Sequence, residues 1–215
     1  MPTLNTRFYR KKLPHWEIDG AVYFVTIRLK GRIPEHATQS IFEKIRGLEQ
    51  HPNSRRTRLK RYILRKIDEW LDRAPDPDYL IRPQIAEILQ EAIRWRVQTG
   101  IWKVIEYVIM PNHLHLLIQL TERVEHAAAR GKRPLEAVMD SFNKWTSHQA
   151  GRILKLPNER FWQGEWFDRW CRDRYEEYDV IQYIRNNPVK AGLVKHYRDW
   201  PYGSWNDEFF KKQHK

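Results

Sequence analysis

Hydrophobic and polar positions change period several times along the chain, and each change predicts an element. "AVYFVTIRLKG" (21–31) gathers β-branched and aromatic residues ahead of a glycine and predicts a strand. "PQIAEILQEAIRWRV" repeats Ile85, Ile88, Leu89, Ala92 and Trp95 at helical spacing, so a helix is expected with Trp95 on its apolar stripe. "IWKVIEYVIM" and "HLHLLIQL" predict two strands joined by a tight turn at Pro111-Asn112. A polar loop is expected from Thr121 to Arg133. Pro134 opens another helix, with Leu135, Val138, Met139, Phe142 and Trp145 along one stripe. The aromatic-dense "ERFWQGEWFDRWCRD" fits neither period. Asp173, with Glu176 three residues on, marks the start of a late helix. Proline disfavours a helical residue before it, so this helix is expected to stop at Asn187-Pro188. The order predicts an α+β fold, an antiparallel sheet with helices on one face.

One segment breaks the pattern. Between about residues 34 and 83 the chain carries Arg55, Arg56, Arg58, Lys60, Arg61, Arg65 and Lys66 without an intervening acid, then prolines and aspartates that interrupt any helix. It reads as a basic, partly helical insertion in a single domain spanning 1–215. Charge points the same way. The 215 residues carry a formal net charge of +12, with a pI near 9.8 and a mean hydropathy of −0.79. A chain this basic suits a polyanion, and a phosphate backbone is the commonest one. At the N-terminus Arg7, Arg10, Lys11 and Lys12 stand among Phe8, Tyr9 and Trp16. Cations that track phosphates beside aromatics that stack on bases suit single-stranded DNA; the same residues also fit an ordinary basic arm packed on the sheet. Trp162, Trp166 and Trp170, four residues apart, read as core. The lone Cys171 excludes an internal disulfide and a multi-cysteine zinc site. With no signal-peptide pattern and no run of ~18 apolar residues, the expectation is a cytoplasmic protein, away from membranes.

The chemistry to explain lies in "EYVIMPNHLHLLIQL" (106–120), where two histidines interrupt an apolar strand. Alternation puts His113, His115, Leu117 and Gln119 on one face, and Leu114, Leu116, Ile118 and Leu120 on the other. The histidine Cα atoms are then ~7 Å apart, close enough for both rings to reach one ion. Two histidines bonded to backbone would serve structure alone. A histidine-triad hydrolase would need a third alternating histidine, where Leu117 stands. The late helix offers another partner: Tyr183 and Asn187 are four residues apart, on one stripe. His113, His115 and the Asn187 carboxamide make a set suited to Mg²⁺ or Mn²⁺, beside a phenol able to attack a phosphodiester. Asp179 shares that stripe and is expected in solvent. Tyr175, Tyr178 and Tyr183 itself all remain candidate core aromatics.

"EYVIMPNHLHLLI" followed by "YIRNNPVKAGLV" closely resembles the single-tyrosine HUH transposases, in particular the REP-associated tyrosine transposase branch, and "VYFVTIRLKG" resembles that family's first strand. The likeness covers most of residues 8–205. It implies a ferredoxin-like or RRM-like sheet, the histidine strand central and the tyrosine helix packed beside it. His113 and His115 would be metal ligands and Tyr183 the nucleophile. Asn187 would take the third ligand position, often glutamine in related branches. The implied reaction cleaves single-stranded DNA near hairpins or palindromic repeats through a 5′-phosphotyrosine, leaving a 3′-OH for rejoining without ATP. The implied place is the nucleoid, acting as a monomer or a dimer. The insertion is longer than a minimal catalytic domain requires; by their charge Arg55, Arg56, Arg58 and Lys60 would either grip the hairpin stem or flanking strand, or lie on a solvated basic helix that touches no DNA. A relaxase or replication-initiator nicking enzyme, and a catalytically silent nucleic-acid-binding descendant, are the competing expectations.

Overall fold

The computed structural model describes residues 6–10, 14–31, 66, 69–72, 78–127, 133–156 and 161–212, together with Gln39 and Glu43. Among them the strands are β1 (Thr6–Arg10), β2 (Pro14–Ile18), β3 (Val22–Arg28), β4 (Trp102–Ile109), β5 (His113–Leu120) and β6 (Phe167–Cys171). The helices are α1 (Pro83–Gln98), α2 (Glu122–Ala127), α3 (Pro134–Leu154), α4 (Arg174–Lys190) and α5 (Glu208–Lys211). β1 and β2 form a hairpin; the other four strands make one antiparallel sheet in the order β4-β5-β3-β6.

Strand alternation sorts the core into two layers. Tyr23, Val25, Ile27, Leu114, Leu116 and Ile118 face α1 and α3, meeting Ile85, Leu89 and Ile93 from one helix and Leu135, Met139 and Phe142 from the other. Trp102 seals this layer, its indole N–H donating to the Ile93 carbonyl at 3.2 Å. Phe24, Val108 and Leu117 face the opposite way, onto Val180 and Ile184 of α4 with Leu71 and Trp200. Helices therefore cover both faces, where the sequence pattern suggested one. The mark of it is in β5, where residues of both parities are buried, His113, His115 and Leu117 on the second face, as a strand covered on two sides requires.

Three local expectations are corrected. The segment expected as a polar loop contains α2; Val124 N–H and Glu125 N–H bond back to the Thr121 carbonyl, and the Glu125 carboxylate accepts from Gly20 N–H at 2.7 Å. Trp95 is half exposed because the buried line of α1 runs through Ala92, Ile93 and Arg96, and the Arg96 guanidinium lies over the Trp95 ring. Trp145 is likewise partly exposed, whereas Trp162 and Trp166 are buried as expected. The late helix, α4, also runs past Pro188 to Lys190. A proline in the final turn removes one N–H bond, and burial of Asn187 and Pro188 holds the turn helical.

The start of α4 follows its sequence signature. Asp173 Oδ1 accepts from Glu176 N–H at 2.8 Å, and the Glu176 carboxylate reaches back to Arg172 N–H at 3.0 Å. Asp173→Ala is expected to cost about 1 kcal/mol, read as a lower denaturation midpoint with an unchanged m-value. Tyr175 and Tyr178, just inside this cap, are exposed and not core.

The hairpin is tied to β6 by a buried polar cluster. His15 Nδ1 bonds Asp168, and Nε2 lies 3.3 Å from Glu165; the Tyr9 ring stacks on the imidazole, with Arg133 over Tyr9. Burial alone would lower the His15 pKa, but its two carboxylate partners outweigh that and raise it to about 9. The stability it adds is complete below the unfolded value near 6.5 and is lost as pH rises through about 9. Urea titrations from pH 6.5 to 9.5 should show wild type losing stability that a His15→Gln variant does not lose, a difference on the order of 2–3 kcal/mol.

Candidate active site

The β5 register places both histidines on the α4 side of the sheet. His113 stands opposite Arg28 and His115 opposite Thr26 on β3. Both are buried, with ring centroids 4.7 Å apart in an edge-to-face arrangement. His113 Nδ1 lies 2.8 Å from Asn112 Oδ1, and its Nε2 is buried without a hydrogen-bond partner among the described residues. His115 Nδ1 lies 2.9 Å from Thr26 Oγ1, and its Nε2 lies 3.1 Å from the Asn187 amide nitrogen. Burial, with the positive charge of Lys190, lowers the His113 pKa to about 3; the Asn187 contact opposes this weakly. His115 is held well below its ordinary value by burial, by His113 and by Lys190. Both rings are neutral at working pH, the form that ligates a metal.

α4 brings the other half of the site. The helical stripe carries Tyr183, Asn187 and Lys190 to one wall, continued by Asp179, Gln182, Arg185, Asn186 and Tyr197 around a cavity of about 450 Å³. The Tyr183 ring packs edge-on against His115 and Phe24, each at 5.8 Å between centroids. Its hydroxyl is buried and makes no hydrogen bond among the described residues. Glu106 anchors the helix to β4, accepting from Arg185 Nε at 2.6 Å and from the Ser204 hydroxyl. Burial raises the Glu106 pKa to about 7 against the pull of Arg185. Lys190 pairs with Asp72 at 3.6 Å.

The structure thus brings together His113, His115, Asn187 and Tyr183, four residues named from the sequence. Asp179 is exposed, on the cavity wall. Thr26, Asn112 and Lys190 escaped sequence reasoning. The alternation Phe24, Thr26, Arg28 was a signal for the first, and the position beside the paired histidines for the second; Lys190 shares the stripe of Asn187. Arg7 lies in β1 with its guanidinium on Asp19 at 2.6 Å, which raises its pKa. Arg10 ends β1, and its side chain lies outside what is described, as do Lys11, Lys12, Arg55, Arg56, Arg58 and Lys60. Among the described residues no three His, Cys, Asp or Glu side chains form a metal cluster, and no helix is long and apolar enough to cross a membrane. The set around His113 is instead two imidazole nitrogens and a carboxamide. Those neutral donors fit one divalent ion whose remaining ligands come from phosphate oxygens or water. The buried, unbonded Nε2 of His113 is what such a site requires.

No protein-family model matches the chain. A Haemophilus influenzae protein provisionally named a REP-associated tyrosine transposase is 33% identical over 105 residues, covering 46% of this chain and 56% of that one. The Escherichia coli REP-associated tyrosine transposase is 27% identical over 100 residues, 46% of this chain and 52% of that one. The chain therefore spans about half the length of the curated relatives it matches. Among solved structures, that of a REP-associated tyrosine transposase bound to a REP hairpin has a TM-score of 0.51, with 18% identity, over 92% of this chain and 81% of that one. At that identity the likeness is one of fold. Over about half of its length the chain is thus similar in sequence to REP-associated tyrosine transposases, and its fold resembles that of a solved one.

Proposed function

We propose that this chain is a metal-dependent single-stranded DNA endonuclease and strand transferase, cutting beside hairpin or palindromic repeats through a 5′-phosphotyrosine. We read its β3-α1-β4-β5-α3-β6 order as the ferredoxin-like arrangement. The observation that carries the proposal is one geometry: Tyr183 packs against His115 while His113 turns a buried, unbonded nitrogen to the same face. A Mg²⁺ or Mn²⁺ ion held by His113, His115 and Asn187 would supply charge stabilisation to the scissile phosphate. A half-turn of the Asn187 amide presents its oxygen, the orientation a cation needs.

The chain's own residues do the rest. Phe24 and His115 fix the Tyr183 ring, so the phenol is positioned before DNA arrives. The phenol oxygen attacks phosphorus, its proton passing to water in the open cavity; the bond to the 3′-oxygen breaks, and that oxygen takes up a proton. A later 3′-OH attacks the same phosphorus and restores the phenol. Lys190 and Arg185 give the cavity positive charge for the phosphates. The DNA partner is supported by the charge of +12 and by the REP hairpin on the solved structural neighbour; a nucleoid location in the cytoplasm follows from it.

The test is direct. A labelled single-stranded oligonucleotide carrying a hairpin, incubated with the protein and Mn²⁺, should yield a denaturant-stable protein–DNA adduct and a free 3′-OH fragment. Absence of any adduct on a panel of hairpins drawn from the DNA flanking the gene would overturn the proposal.

A further inference from the structure

The proton on His113 is placed by its neighbour. Asn112 is buried, and its amide nitrogen donates to the Leu71 carbonyl at 2.7 Å. A carbonyl only accepts, so this bond fixes which end of the amide points where. The Asn112 oxygen is left facing His113 Nδ1 at 2.8 Å. That oxygen also only accepts. Neutral His113 therefore carries its proton on Nδ1 and its lone pair on Nε2, the buried atom beside His115. With the proton on Nε2, the ring would aim a donor where a metal ligand needs a lone pair.

We propose that Asn112 is a positioning residue for the paired-histidine site: it holds His113 in the Nδ1–H form, and Leu71 holds Asn112. The consequence for metal binding rests on the function proposed above; the proton's place does not. Leu71 lies in the stretch 69–72, within the segment read as a basic insertion. Its side chain is buried with Val108, Met110 and Leu117, and the next residue, Asp72, pairs with Lys190 of α4. This stretch thus touches both halves of the site, at the turn before β5 and at the end of the tyrosine helix. Part of the insertion acts as a brace for the histidines.

Nitrogen-15 correlation spectra of histidine-labelled, metal-free protein at pH 8 read the tautomer directly. His113 of wild type should show its proton on Nδ1. Asn112→Ala should move it largely to Nε2 or to a mixture. Asn112→Asp should keep it on Nδ1, because a carboxylate still accepts, although it can no longer donate to Leu71. An anchor role alone would make Asp behave like Ala, since both lose that bond. Mn²⁺ titrations followed by the free-ion resonance should show binding about 10–100-fold weaker in Asn112→Ala and near wild type in Asn112→Asp. His113 keeping Nδ1–H in Asn112→Ala, or Ala and Asp variants altered alike, overturns the inference. Wild type that shows Nδ1–H and binds no Mn²⁺ overturns the metal reading instead, and leaves Asn112 as the residue that sets the tautomer.

Discussion

Tyr183→Phe is expected to abolish the covalent protein–DNA adduct while leaving hairpin affinity within a few-fold of wild type. The substitution removes one oxygen and leaves the ring, so packing against His115 and Phe24 survives. That oxygen makes no hydrogen bond among the described residues; folding loses no partner when it goes, and stability should change little. The expected separation is therefore complete: no adduct on denaturing gels at any enzyme concentration, against an unchanged binding isotherm. Other phenols are present to compete for the role. Tyr175 and Tyr178 lie on the same helix and are exposed, but neither lines the cavity that Tyr183 and Asn187 line. A persistent adduct in Tyr183→Phe would transfer the nucleophile to another residue, and peptide mapping of the linked oligonucleotide would identify it.

Local sequence rules were good guides wherever one element decided the outcome. The shared face of His113 and His115 follows from strand alternation, and the start of α4 from Asp173 and Glu176; the histidine register and the cap both have that form. Rules failed where a neighbour decides. Pro188 ends an isolated helix, yet here its turn is buried and continues to Lys190. Trp95 matches a helical stripe, yet Arg96 takes the buried place and leaves the tryptophan outside. The second helical layer was hidden because the face of β5 that it covers carries His113, His115 and Gln119 beside Leu117, and a polar face reads as one turned to solvent. The candidate site shows the same division. Its four named residues were legible from two short motifs. Thr26, Lys190 and the Leu71 carbonyl come from distant stretches that only the folded chain brings to the histidines.

Removing the metal, or a histidine that would hold it, is expected to cut strand cleavage by orders of magnitude. A polarising cation at a scissile phosphate is worth several kcal/mol; about 4 kcal/mol corresponds to roughly a thousandfold in rate. Cleavage should vanish in excess chelator and return with Mn²⁺ or Mg²⁺. His115→Ala should match the chelated enzyme and should not respond to added metal. Of the two histidines, His115 is the sharper probe, because its ring touches the other candidate parts at once: Thr26 through Nδ1, Asn187 through Nε2, and Tyr183 edge-on. Truncation also leaves a cavity beneath Phe24, so a stability loss of about 2–4 kcal/mol is expected alongside the kinetic one. His113→Ala separates the two effects. Its ring bonds Asn112 and packs on His115 but makes no ring contact with Tyr183 among the described residues, so rate lost there in still-folded protein reports more on the metal than on Tyr183 packing. Full cleavage by wild type in chelator would remove the metal from the mechanism and leave the buried pair as structure alone.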